Sequence, residues 1–191
     1  MARIQWKGSA LLSPVPAALV TSGSGEEANV MTAAWCGITC TQPPVTYVSV
    51  RPERHSYGLI KEGGEFVIHL TTEALCYATD ACGVYTGAKV NKFEKYGLTR
   101  IPSTAVAPPT IEEAPVALEC RVRDIVPLGT HDMFLADIVA VTVREELLDK
   151  TGRLCLERAG LVAYSHGAYF TLGKKLGGFG FSVRKTGKGR R

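Results

Sequence analysis

Residues 29–37, NVMTAAWCG, set an amide, a thioether, a hydroxyl, an indole and a thiol around two alanines. Asn29 and Thr32 can donate and accept hydrogen bonds. Met31 and Trp35 offer soft apolar surface, and the thiol of Cys36 is open to metal or redox chemistry. Apolar and polar residues alternate imperfectly here, so a strand with one wet face explains the segment poorly. A core strand would carry Val or Ile where this one carries Ala33 and Ala34.

Six cysteines stand at 36, 40, 76, 82, 120 and 155. The gaps Cys36-x3-Cys40 and Cys76-x5-Cys82 are not zinc-finger spacings. No metal site is expected, and buried or idle thiols are the reading. The N-terminal MARIQWKGSALL has no sustained apolar core or cleavage site, so no signal peptide is expected. Reduced thiols in a cytoplasm follow as the expectation. No run of 18 apolar residues occurs, so no membrane span is expected.

The formal charge of +4 is unevenly spread. Residues 173–191 hold seven Lys or Arg and no acid, which leaves residues 1–172 at −3. Residues 183–191 are expected to be a basic, flexible, solvated tail. No aromatic residues interleave its charges, so a nucleic-acid contact is not the favoured reading. With 191 residues, 46% of them apolar, the chain suits one globular domain over 1–182. Such a length buries roughly 70% of its unfolded surface without disulfide staples.

The elements that must position these groups are mostly strands. Residues 16–23 read as a strand ending in a Gly/Ser turn, and 29–41 as an extended segment stopping at Pro43-Pro44. VTYVSV (45–50) reads as a buried strand, with a short helix at Ser56-x3-Ile60 that stops at Gly63-Gly64. EFVIHL (65–70) is the next strand. Thr71 or Thr72 can cap a helix running through Tyr77 to Cys82. Residues 83–109 read as loop with one helical turn at NKFEKYGL. Two long strands flank Gly129-Thr130, and in the first Leu118, Cys120 and Val122 alternate with Glu119, Arg121 and Arg123, which predicts one wet face. Many strands with few short helices point to a mainly β fold, a barrel with helical decoration.

Six segments carry a resemblance: NVMTAAW, VSVRPERHSYGLIKEGGEFVIHL, GVYTGAKVNKFEKYGLT, EAPVALECRV, GTHDMFLADIVAV and YFTLGKKLGGFG. In this order and spacing the chain resembles the flavin reductase-like family of FMN-binding split barrels, most closely its flavoredoxin-type members, over 14–182. The resemblance implies a six-stranded split β-barrel and a homodimer with one FMN per subunit near the interface. It also implies electron transfer, commonly from NADH or NADPH through FMN to an acceptor.

On that resemblance, residues 29–35 approach the flavin. Ala33 and Ala34 leave room for backbone N–H groups at the polar ring edge, and Thr32 can bond ribityl or ring atoms. Met31 fills a gap, and Asn29 orients the loop or a ribityl hydroxyl. Trp35 covers the ring, lines the dimer interface or is an ordinary packing residue. The FMN phosphate needs cations and hydroxyl or backbone donors. Two clusters match family motifs: Ser49, Val50, Arg51, Arg54, His55 and Ser56, then Thr86, Lys89, Lys92 and Phe93. Family members often place Thr where Ser56 stands and Asp where Asn91 stands. Taken singly, each Arg or Lys reads as a surface charge; the clusters carry the phosphate reading. His131, the one candidate catalytic residue, could hydrogen-bond or shuttle a proton near the flavin or nicotinamide, or merely cap its own hairpin with Asp132. His69 stands where many relatives carry Asn, which is neutral or alters ribityl contacts.

The implied activity is an NAD(P)H-dependent oxidoreductase that reduces a flavin, a ferric chelate or a small acceptor through FMN. The alternative is a non-enzymatic FMN carrier between redox partners. A third possibility keeps the barrel without flavin, as a haem-binding or interaction module. No G-x-G-x-x-G fingerprint follows a strand, which does not separate the first two.

Overall fold

The computed structural model describes residues 1–183, so the basic tail expected at 183–191 lies, beyond Val183, outside the described residues. The elements run β1 (Val15–Pro16), β2 (Ala18–Ser22), β3 (Asn29–Ala33), β4 (Cys36–Thr41), β5 (Pro44–Val50) and α1 (His55–Gly63). They continue through β6 (Glu65–Leu70), α2 (Cys76–Val84), α3 (Lys92–Tyr96), β7 (Arg100–Ile101), β8 (Thr110–Ile111) and β9 (Val116–Pro127). β10 (Asp132–Val143), β11 (Val162–Ser165) and β12 (Ala168–Thr171) follow.

Seven strands form one antiparallel sheet in the order β3-β2-β6-β9-β10-β5-β4. Its two edges are consecutive pieces of one extended segment. β3 pairs with β2, and two residues later β4 pairs with β5. The Ser49 N–H reaches the Trp35 carbonyl at 2.8 Å, so pairing with β5 runs into the break. The sheet therefore closes on itself at Ala34 and Trp35. Counted as one bent strand, residues 29–41 complete the six-stranded split barrel, a mainly β fold with three short helices.

This seam explains the imperfect alternation of residues 29–37. Met31 and Ala33 point into the barrel core with Val20, Val48, Phe66, Ile68, Cys120 and Phe134. Val30 points the other way, into a second core with Leu19, Leu75, Ala78, Cys82, Phe93 and Ile111 beneath α2 and α3. A strand buried on both faces shows no wet period. Of the six free thiols, Cys36, Cys82, Cys120 and Cys155 are buried. Burial pushes the Cys36 and Cys82 thiols up to about 11 and Cys120 to about 12, which keeps them protonated.

Helix α1 ends where expected, with Gly64 in the left-handed region at φ 66° and its N–H on the Ile60 carbonyl at 2.9 Å. Helix α2 starts later than the Thr-cap expectation. Leu75 precedes its first turn without a side-chain cap, and the Thr72 hydroxyl accepts from Leu75 N–H at 3.4 Å in the turn before.

The expected wet face of β9 fails at Glu119, which is fully buried. Residues 104–105 fold over it. Its carboxylate accepts from the Thr104 N–H at 2.9 Å, the Thr104 hydroxyl at 2.8 Å and the Ala105 N–H. Burial alone would raise this carboxyl; the donors more than offset that and hold it below its ordinary value. Glu119→Gln turns an amide NH2 toward one of these donors. The expected loss is about 2 kcal/mol, from breaking a bond to a charged group. It is read as a melting temperature lower by about 4–8 °C.

His69, at the end of β6, is also fully buried. Its Nδ1 donates to the Leu19 carbonyl at 3.2 Å, and its Nε2 accepts from Ile111 N–H at 3.0 Å. It ties β2 to β8 and lines neither of the two pockets of the candidate site.

β1, β11 and β12 form a separate three-stranded sheet that the sequence reading lacked. His166 (φ 49°) and Gly167 (φ 87°) make the tight turn of the β11–β12 hairpin. Among the described residues, no helix is long and apolar enough to cross a membrane.

Candidate functional site

A cleft of about 340 Å³ opens along the seam. The barrel supplies Met31, Thr32, Ala33, Ala34 and Trp35 from the bent strand, and Ser49, Val50 and Arg51 from the end of β5. Arg54 enters from the start of α1 and His131 from the β9–β10 turn. Ten of the residues expected from sequence thus line one space. It pairs small and apolar side chains with hydroxyls and guanidinium groups.

A second pocket of about 130 Å³ adjoins it and shares Met31, Arg54 and Val84. Asn29, His55, Ser56, Thr86 and Lys92 line it. The first turn of α1 borders it, where amide N–H groups lack helical partners and favour an anion. Asn29 is buried, and its Nδ2 donates to Ser56 Oγ at 2.8 Å, joining β3 to α1. Gly87 lies against that amide so closely that a Cβ there would stand 2.1 Å from Asn29 Oδ1. The pocket is therefore built with no room for a side chain at 87.

Lys92 is almost wholly buried, and its Nζ donates to the Val30 carbonyl at 2.8 Å and the Cys82 carbonyl at 2.9 Å. Burial lowers this ammonium to about 8. An ammonium carries three donors, so one remains for the pocket. Arg54 Nη1 donates to the Gly83 carbonyl at 2.7 Å, which fixes the guanidinium between the two spaces. The Thr32 hydroxyl donates to the Thr79 carbonyl, so toward the cleft it can still accept. His131 Nδ1 lies 3.0 Å from the Thr130 hydroxyl, not on Asp132, whose carboxylate accepts instead from the Tyr57 hydroxyl at 2.6 Å.

Two expected residues lie apart from these pockets. Lys89 is exposed and lines neither, and Phe93 is buried in the second apolar core. The sequence reading missed Ala17, Asp80, Gly83, Val84, Tyr164 and Tyr169 in the cleft, and Glu53 and Tyr85 in the small pocket. The Tyr169 hydroxyl donates to Asp80 Oδ1 at 3.2 Å, and its ring meets Tyr164 edge-on at 5.2 Å. Tyr-x4-Tyr around His166-Gly167 was the available signal for the two rings, since a two-residue turn puts them directly opposite.

The donor set suits a ligand with a flat, polar-edged ring and an anionic end, which is the shape and charge of FMN. Residues 11–173 match the family model described as flavin reductase like domain. A protein of Pyrococcus abyssi is 35% identical over 75% of this chain and 82% of its own. Flavoredoxin of Desulfovibrio vulgaris (Miyazaki F) superposes with a TM-score of 0.88 at 29% identity, covering 96% of this chain and all of its own. The FMN reductase (NADH) RutF of Cronobacter turicensis is 23% identical over 67% of this chain and 74% of its own. With the family model spanning most of its length, this chain belongs to the flavin reductase-like family.

Proposed function

We propose that the protein binds FMN across the two joined pockets and passes electrons from NADH or NADPH to a small-molecule acceptor. The observation that carries this reading is the junction at Arg54 and Met31 of a cation- and hydroxyl-lined pocket with a cleft of small and apolar residues. Asn29, Arg54, Ser56, Thr86 and Lys92, with the first turn of α1, would hold the phosphate. Thr32, Ala33, Ala34, Ser49 and Val50 would meet the ring. When bound, FMN accepts hydride and releases electrons singly or in pairs. The chain's part is to bind, orient and exclude water. Trp35 and the Tyr164–Tyr169 pair wall the cleft, and His131 is placed to hydrogen-bond with what enters it. The names of relatives, an NADH-dependent FMN reductase among them, support the donor.

Arg54→Ala is expected to weaken FMN binding tenfold to about a hundredfold, since a charge-assisted hydrogen bond contributes about 1.5–3 kcal/mol. Lys92→Ala should do the same and also lose stability, because the Val30 and Cys82 carbonyls lose their donor. Titration of the flavin-free protein with FMN, beside urea unfolding, separates the two effects. Unchanged affinity in both variants would remove the phosphate assignment.

The absorption spectrum, recorded before and after anaerobic NADH or NADPH, tests the activity. A flavin spectrum that bleaches with either donor supports the reductase. A specific observation favours the carrier reading as well, namely the near-complete superposition on flavoredoxin. Flavin that bleaches only with a reduced redox protein would select it. A colourless protein that also fails to bind added FMN would reject both. A homodimer fits the exposed apolar side chains of Ile38, Val141, Phe170 and Leu172, and six free thiols fit a reducing compartment such as the cytoplasm.

A further inference from the structure

We infer that the side of the cleft walled by the β11–β12 hairpin is an acceptor subsite for neutral, planar aromatic molecules, and that Asp80 makes it reject anionic ones. The inference rests on the flavin reading above and narrows its acceptor, which that reading gave only as a small molecule.

The walls come first. Tyr164 and Tyr169 are a direct cross-strand pair, half-buried, with ring centroids 5.2 Å apart. With Trp35 from the seam, they give one cleft three aromatic side chains. Such surfaces receive flat apolar rings and discriminate little among them. The hairpin is fastened from two sides. Tyr169 donates to Asp80, and the Ser13 hydroxyl donates to Ser165 at 2.8 Å.

Charge supplies the selection. The formally charged residues lining the cleft are Arg51, Arg54 and Asp80. Arg51 stands 3.7 Å from Glu53, and Arg54 is bonded to the Gly83 carbonyl beside the phosphate pocket. A phosphate of nearly two negative charges offsets Arg54 and Lys92. Asp80 makes no ion pair among the described residues, and its only hydrogen-bond donor there is a neutral phenol. Asp80, exposed in the second turn of α2, is thus the one acidic side chain of this cleft among the described residues. A walled cleft focuses such a charge on whatever enters.

The reaction this subsite serves balances with the nicotinamide donor. NAD(P)H loses a hydride and becomes NAD(P)+. A quinone gains those two electrons, the hydride's proton and one proton from solvent, and becomes the hydroquinone.

The test uses the FMN-saturated protein without NAD(P)H, so that binding is read apart from turnover. Equilibrium dialysis compares two probes that share a ring system, neutral 2-hydroxymethylanthraquinone and anionic anthraquinone-2-sulfonate. Wild type is expected to bind the neutral probe about fivefold or more tightly than the sulfonate, a gap that salt narrows. Asp80→Asn keeps an oxygen for the Tyr169 hydroxyl. It should tighten the sulfonate about threefold to tenfold while moving the neutral probe less than about twofold. Tyr164→Ala should weaken both probes about tenfold by removing a wall. Equal binding of the two probes by wild type, or an unchanged ratio in Asp80→Asn, overturns the role of Asp80. Unchanged affinities in Tyr164→Ala overturn the subsite. Loss of FMN binding by wild type would instead strike the flavin reading, which the spectrum reports independently.

Discussion

Gly87→Ala is expected to weaken FMN binding by about a hundredfold, close to 2.8 kcal/mol at 1.4 kcal/mol per decade. The expected size comes from the space at position 87. A Cβ would lie 2.1 Å from Asn29 Oδ1, 2.5 Å from its Cγ and 2.7 Å from its Nδ2. Asn29 has little room to retreat, because it is buried and bonded to Ser56 in the first turn of α1. Either the 86–88 loop moves out or the Asn29–Ser56 bond breaks. Both outcomes dismantle the pocket assigned to the phosphate. Gly58→Ala is the comparison, since a Cβ there meets nothing within 4 Å and α1 gains a better helix former. Its FMN affinity should match wild type. FMN titration of both variants decides the matter, and an affinity for Gly87→Ala within twofold of wild type would put the phosphate elsewhere.

Acid should weaken the fold well before its carboxylates protonate. Burial lowers His69 to about 4 from its ordinary 6.5, and its Nε2 accepts the Ile111 N–H only while that nitrogen is unprotonated. Between those two values the unfolded chain binds a proton that the folded chain refuses, so stability falls as pH falls. The contribution is whole above pH 6.5 and is lost as pH drops toward 4. At 1.36 kcal/mol per unit, the loss over this window is about 3 kcal/mol. Glu119 acts lower, because its carboxyl lies below its ordinary 4.5. Its contribution is whole above 4.5 and is lost only as pH falls through that depressed value. Urea unfolding from pH 7 to pH 4.5 therefore isolates most of the histidine effect. His69→Asn should flatten the slope. An equal slope in the variant would mean that another group controls acid stability.

The strands around the cleft were legible in the sequence because local patterns determine them. Val45 to Val50 is β-branched and aromatic, and Gly64 stops α1 where its left-handed φ is needed. Asn29, Met31 to Trp35 and Arg54 to Ser56 were legible as lining residues because they sit in two short motifs, although Val30, between Asn29 and Met31, turns to the second core. What stayed hidden depends on distant approach. Asp80 and Tyr169 meet across 89 residues, and no local pattern announces that bond. Glu119 kept its place in the polar half of an alternating strand, yet residues 104–105 cover it. Phe93 and Lys89 lay inside a matching motif, but α3 turns Phe93 to the core, and Lys89, in the turn before α3, is exposed. Lys92 read as a phosphate ligand, and its two bonds to backbone carbonyls make it a structural tie as well.

The hairpin carrying Tyr164 and Tyr169 belongs to a different sheet from the one that holds the pockets. The seam is woven into the barrel by strand pairing, whereas the hairpin stands outside that pairing and covers one side of the cleft. Substitutions in the cover can change what enters without disturbing what is held beneath. A lineage of such proteins can keep one cofactor and trade acceptors by rewriting about ten residues, which makes the cover the natural place to redesign this protein for a new substrate.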